Sequence, residues 1–343
     1  MFSYSNWSVL TVNFEVVLFL ALSGVTLSSV LHLAGARWRY EIRFLASSLF
    51  ALFPLAFVLL IVLLANAKAT FPWMNLTTVN GHVPWHLASA FDGFTFLAWR
   101  EIIGMLLVMF IHWIFIKRQA VSERSPEDAE RFHTIACWVP YTYVLYGTMV
   151  AWDFEMFMVP GWQSGIFGMQ EFISLFGMFL SFLVIWIYYL NSRDKLVNPV
   201  KPFVYNYLAQ MMLAFTLLWI YTYFAQYLIL WYGNIPEERD RINWMQDGYY
   251  TALWWAVIAL KLVIPFSALA MPFTRHNIKA TMVVAVCIII GTIFERYVWI
   301  AGSQIGIDGS YPYLASIVVS VVVATIGFFL VRMRLQSTQL VKG

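Results

Sequence analysis

Apolar stretches long enough to cross a lipid bilayer recur nine times along the chain, and no other feature narrows its fold as much. A helix needs about 20 predominantly apolar residues to traverse roughly 30 Å of hydrocarbon. Runs of that length lie at about 13–34, 44–66, 94–116, 133–153, 166–190, 203–232, 248–271, 280–300 and 312–331. Composition agrees: 61% of residues are apolar and 11% are charged, whereas charged residues make up about a quarter of a soluble domain. The predicted class is an all-α integral membrane protein with nine transmembrane helices. The opening segment, MFSYSNWSVLTVNFEVV, has no Lys or Arg ahead of the first apolar run. It therefore lacks the basic start of a signal peptide, and the first run is expected to stay as a span.

The basic residues set an orientation. Fifteen of the 21 lie in the segments on one side of the predicted spans, from Arg37, Arg39 and Arg43 to Arg332, Arg334 and Lys342. Only Lys68, Arg239 and Arg241 lie on the other side. The positive-inside rule then places the N-terminus outside and the C-terminus in the cytoplasm, which needs an odd number of spans. External segments are accordingly expected at 68–93, 156–165 and in GNIPEERDR, 233–241. Trp73, Trp85, Trp162, Trp231, Tyr232 and Trp244 crowd this outer side as an aromatic belt. The match of Asn75, Leu76 and Thr77 to a glycosylation sequon is the kind that arises by chance. With only Cys137 and Cys287, both inside predicted spans, the sequence excludes a disulfide framework, a covalent haem attachment and a cysteine-ligated iron–sulfur cluster. No metal site and no nucleic-acid partner are expected.

Ionisable groups inside spans are costly and point to function or to structural pairing. Arg100 and Glu101 fall near the outer end of the third span, Asp153 and Glu155 near the outer end of the fourth, Gln170 and Glu171 at the start of the fifth, and Glu295 and Arg296 near the end of the eighth. Four helices thus carry charge at one outer level. Two readings follow: a structural ion-pair lattice, or a polar pocket for a quinone headgroup and a proton route. Lys261 lies near mid-bilayer, and His32, His112 and His133 lie toward the cytoplasmic ends of spans one, three and four. Together they would extend such a route inward.

Four segments, FTFLAWREIIGMLL, GTMVAWDFEMFMVPGWQSGIFGMQEFISLFGMFLS, IYTYFAQYLILWYGNIPEE and KLVIPFSALAMPFTR, carry a resemblance. In this order and spacing they resemble the NrfD-like membrane subunits related to polysulfide reductase, and within them the ActF type of bacterial alternative complex III. The resemblance covers about residues 94–300. It implies two four-helix bundles, here spans two to five (44–190) and six to nine (202–333), with residues 1–43 as a peripheral first helix and its loop and 334–343 as a tail. It further implies a bacterial cytoplasmic membrane location and no covalently bound cofactor. The implied partners are a sister NrfD-like subunit, a periplasmic iron–sulfur and molybdopterin-like subunit, and haem c subunits, beside lipids. ActF-type chains run longer and carry a tenth span, which this sequence does not supply.

The expected function is that of a membrane subunit of a quinol-oxidising complex. Glu101, Asp153, Glu171 and Glu295 are the proton carriers, Arg100 and Arg296 their charge partners, Lys261 the mid-membrane step, and His112 and His32 further candidates. A quinone or quinol is the small-molecule candidate, and Glu237, Glu238, Arg239 and Asp240 form the expected docking loop for an external partner. Competing classes are a structural anchor for another molybdopterin-type enzyme, a secondary transporter with broken helices at Pro54, Pro140 and Pro265, and a haem b cytochrome, which needs facing histidine pairs.

Overall fold

The computed structural model describes residues 4–75, 93–159, 162–302 and 311–342, and the side chains of all of these except 4–6, 75 and 237. Among the described residues the chain is helical, and eight helices are long and apolar enough to cross a membrane. In chain order the principal helices are α1 (Tyr4–Leu33), α2 (Arg39–Ala65), α3 (Gly93–Val121), α4 (Pro126–Phe154), α5 (Phe167–Ser192), α6 (Pro202–Gly233), α7 (Pro236–Asp247), α8 (Thr251–Leu269), α9 (Ile278–Ile300) and α10 (Tyr313–Ser337). Of these, α7 is short and polar. α4 is as long as α3 but begins with Glu127, Asp128, Glu130 and Arg131, which dilute its apolar character. Most of the expected outer segment 68–93, with Trp85 and part of the sequon, lies outside the described residues.

Local sequence explains several helix ends. Ser125 caps α4 by accepting a hydrogen bond from the Asp128 backbone N–H at 3.1 Å, with Pro126 in the first turn. Asn277 caps α9 in the same way, accepting from Lys279 N and Ala280 N. α6 stops where Asn234 takes a left-handed backbone conformation, φ 47°. Inside α8, residues Ala259–Val263 form a π-helical turn. Pro265 lies four residues beyond Lys261, so it has no N–H to offer the Lys261 carbonyl and its ring crowds that carbonyl. The helix accommodates both by widening just ahead of the proline.

The helices form two four-helix groups, α1–α4 and α5, α6, α8 and α9, joined where α4 and α1 meet α5 and where α1 meets α9. α10 packs on the outside against α1 and the middle of α2. The expectation of a peripheral first helix is therefore corrected, and the bundle boundaries move back by one helix. α1 is central, with 72% of its apolar window buried, close to the 78% of α5, whereas the last helix α10 has 22%. The cause is legible in its side chains. Ser23 meets the Tyr143 hydroxyl at 3.1 Å, Ser28 donates to the Arg43 carbonyl at 2.8 Å, and Ser29 donates to the Ala136 carbonyl, so small polar residues link α1 to α2 and α4. Gly24 lets α1 approach α2 so closely that a Cβ there would strike the Ala46 carbonyl.

Candidate functional site

The structure gathers the in-span charges into two groups that meet at the end of α4. The first lies between α3 and α4. Arg100 pairs with both carboxylate oxygens of Asp153, at 2.6 Å to Oδ1, and lies over the Phe96 ring. Glu101, fully buried, sits beside Asp153 and Tyr146, and the Tyr146 hydroxyl reaches the Glu101 backbone carbonyl at 3.4 Å.

The second group lies at the junction of the two bundles and centres on Arg296 of α9, which has no exposed surface. Its Nη1 donates to Glu155 at 2.7 and 2.6 Å and contacts Glu171 of α5, while Nη2 lies 3.1 Å from Glu295. Glu15 of α1 completes the set: carboxyl oxygens of Glu15, Glu155 and Glu171 lie within 4.8 Å of one another. Glu295 also takes Lys261 of α8, the Ser174 hydroxyl at 2.6 Å and the Trp219 indole N–H at 2.8 Å. Lys261 itself donates to Ser174 at 2.6 Å. The π-helical turn presents Lys261 to α9, where Gly291 makes room: a Cβ there would stand 2.7 Å from Lys261 Cγ. A void of about 10 Å³, close to the size that holds one water, borders Lys261, Ser174 and Thr216.

Arg241 closes the outer end of this group. Its guanidinium donates to the backbone carbonyls of Met156 at 2.9 Å, Glu155 at 2.8 Å and Trp299 at 3.2 Å, and lies over the Trp162 ring. The expected docking loop around it is corrected to the helix α7. Arg239 on that helix is exposed and bonded to Asn234 at 2.7 Å, and Glu238 and Asp240 are half-buried, while the Glu237 side chain lies outside the described set. Because Ile242 and Met245 are buried, α7 lies down on the protein and turns Arg241 inward.

Charge counting shows what this arrangement can do. Among the described residues the first group has two carboxyls and one cation. The second has, among the described residues, four carboxyls and, with Arg241 included, three cations. Unpaired charge is very costly at such depth, so acids in excess of cations are the groups that can take up or pass on a proton. Within the groups the acids are neighbours, Glu101 lying beside Asp153 and Glu15 beside Glu155 and Glu171. Three carboxylates at this spacing also resemble a donor set for a hard cation, but the guanidinium of Arg296 is already engaged with two of them.

The histidines stand apart. His112 is buried on α3 with Nδ1 at 2.8 Å from the Val108 carbonyl, one turn earlier on its own helix. His32 and His133 face each other at 3.4 Å, at the ends of α1 and α4. Sequence reasoning missed Glu15 and passed over Glu155, Ser174, Trp219 and Arg241. Glu15 had a usable signal, as a lone acid inside an apolar run. Arg241 also had one, because Ile242 and Met245 mark an apolar face on an otherwise charged segment. Neither a scan against protein-family models nor a search of curated proteins gives a match to this chain.

Proposed function

We propose that the chain is a membrane subunit of a quinol-oxidising respiratory complex in a bacterial cytoplasmic membrane, NrfD-like and of the alternative complex III type, with nine spans and its N-terminus outside. It contributes a proton route and a docking surface for periplasmic iron–sulfur and haem c subunits, and it works beside a sister NrfD-like subunit. The observation that carries this reading is the clustering of neighbouring carboxyls, one more than the cations in each buried group among the described residues. A quinol oxidised at the outer face releases two protons for two electrons, and neighbouring carboxyls able to share or pass a proton are the groups such a step requires. Arg100 and Arg296 hold the anionic forms that result. In this scheme Glu101 and Asp153 form one station, and Glu15, Glu155 and Glu171 a second. Glu295 and Lys261 lead inward to the one-water void.

The test uses the assembled complex. Replacing Glu171 by Gln together with Lys261 by Met is expected to cut quinol-driven proton movement about tenfold or more while the subunits still assemble. Unchanged proton movement in that complex would remove the assignment. A structural anchor is the second reading, favoured by the saturation of Glu295, both of whose oxygens are engaged. It predicts instead that the same variant falls apart with no separate effect on proton movement.

A further inference from the structure

Where α10 packs on the bundle it stands off from α1 and α5 and leaves a furrow. The cavity there measures about 350 Å³ and is lined by Val16, Leu20, Phe182, Trp186, Ala324 and Phe328, with Asn13 and Ser320 as polar groups on its wall. Those two are bonded to each other at 3.1 Å. The furrow exists because α10 lines it with Ser320, Ala324 and Gly327, three small residues on one face, with Gly327 set against Leu52 of α2.

Trp186 and Phe328 also wall a second cavity, of about 230 Å³, where α5 and α10 end on the basic side. Around it stand Arg193, Lys195, Arg332 and Lys342, with Asp194 as the one acid in its lining. Lys342 pairs with Asp194 at 2.7 Å, and Lys195 donates to the Tyr189 hydroxyl at 3.1 Å. Arg193 and Arg332 lie within electrostatic reach of that hydroxyl too. Residues 340–342 are tied to 195–197 by Val197 N to Leu340 O at 3.1 Å and Lys342 N to Lys195 O at 2.7 Å, which fixes the base of the pocket.

We infer that this seam binds one anionic phospholipid, its phosphate in the basic pocket between Arg193, Lys195, Arg332 and Lys342 and an acyl chain in the furrow above. An apolar cavity of this size does not hold water, and in a bilayer hydrocarbon is what fills it. From Ser320 to Arg332 the furrow runs about 18 Å at 1.5 Å per residue, longer than the roughly 15 Å of one leaflet's hydrocarbon. Four cations against one acid select a negatively charged headgroup, as basic pockets between membrane helices do. A neutral lipid or a quinone would fill the furrow and leave Arg193, Lys195 and Arg332 without an anion, since Asp194 already pairs with Lys342.

The test takes the full chain purified in mild detergent and measures retained phosphorus, then thermal stability in nanodiscs of phosphatidylcholine with or without phosphatidylglycerol. Wild type is expected to keep about one phospholipid per chain and to melt several degrees higher with phosphatidylglycerol. The double variant Arg193→Gln, Arg332→Gln is expected to bind phosphatidylglycerol at least tenfold more weakly. Ala324→Phe, which leaves the net charge unchanged and fills the furrow, is expected to lose the retained lipid as well. The inference fails if the double variant responds to phosphatidylglycerol as wild type does. It also fails if inorganic phosphate alone gives the same shift, or if wild type retains no phosphorus. The wild-type comparison of the two lipids decides the matter even where a variant does not fold.

Discussion

Arg100 and Arg296 are both arginines paired with a carboxylate near the end of α4, yet they join different parts of the molecule. Arg100 reaches from α3 to Asp153 on its neighbour, within one bundle, and keeps 19% of its side chain exposed. Arg296 has none exposed and meets carboxylates from α4, α5 and its own α9, with Glu15 of α1 against them. A pair at the edge of a bundle can trade its partner for solvent or lipid headgroups. A cation at the seam between bundles has no substitute, because removing it leaves several acids facing one another. Placement, more than pairing, sets how much each arginine matters.

The substitution that breaks this contrast most directly is Arg296→Met. It strands the buried acids of both bundles and is expected to cost about 3–5 kcal/mol, read as a lowered unfolding midpoint in nanodiscs. A loss below about 1 kcal/mol would mean that the bundles are held together by other contacts. Arg100→Met should cost less, about 1–3 kcal/mol, since its partner Asp153 is buried but the arginine itself is partly wet. The two losses, measured in one assay, should keep that order.

Gly291→Ala sharpens the comparison within the second bundle. The added methyl group meets Lys261 Cγ and Leu260 Cβ, so about 1–2 kcal/mol of crowding is expected. A spectroscopic label near Lys261 should report its displacement from Glu295. The smallest effect is expected for Glu15→Gln, within about 1 kcal/mol. A Gln amide has the shape of the carboxyl and offers an N–H toward the oxygens of Glu155 and Glu171 beside it. A drop as large as that of Arg296→Met would show that Glu15 carries a charge.

The membrane character and the helix positions were legible from length and hydropathy alone, since a span's length is imposed by the bilayer and not by neighbouring residues. Arg296, Glu171 and Glu295 were legible as charges at one level for a related reason, that charges deep in apolar helices need one another, whereas Lys261 read as a separate mid-bilayer group and in the structure meets Glu295. What hydropathy cannot convey is lateral order. Whether a helix is central or peripheral depends on small polar contacts such as Ser28 with the Arg43 carbonyl, which read in sequence as mild interruptions of an apolar run. The GNIPEERDR segment was misjudged because its charge density suggests water, while the inward turn of Arg241 depends on backbone carbonyls that leave no mark in sequence. His112 illustrates the limit of depth alone: it lies where a relay could pass, and its ring is bonded to its own helix.

The centrality of α1 has a consequence for biosynthesis. The groups that satisfy this helix all come later in the chain: the Ala136 carbonyl, the Tyr143 hydroxyl, Ser320, and the Glu155 and Arg296 that neighbour Glu15. During translation it therefore waits in the bilayer, or beside the insertion machinery, with an acid and several hydroxyls not yet matched. Its final seat is created only when the ninth and tenth helices arrive and close around it. Insertion of this chain runs from N to C, but consolidation has to run the other way.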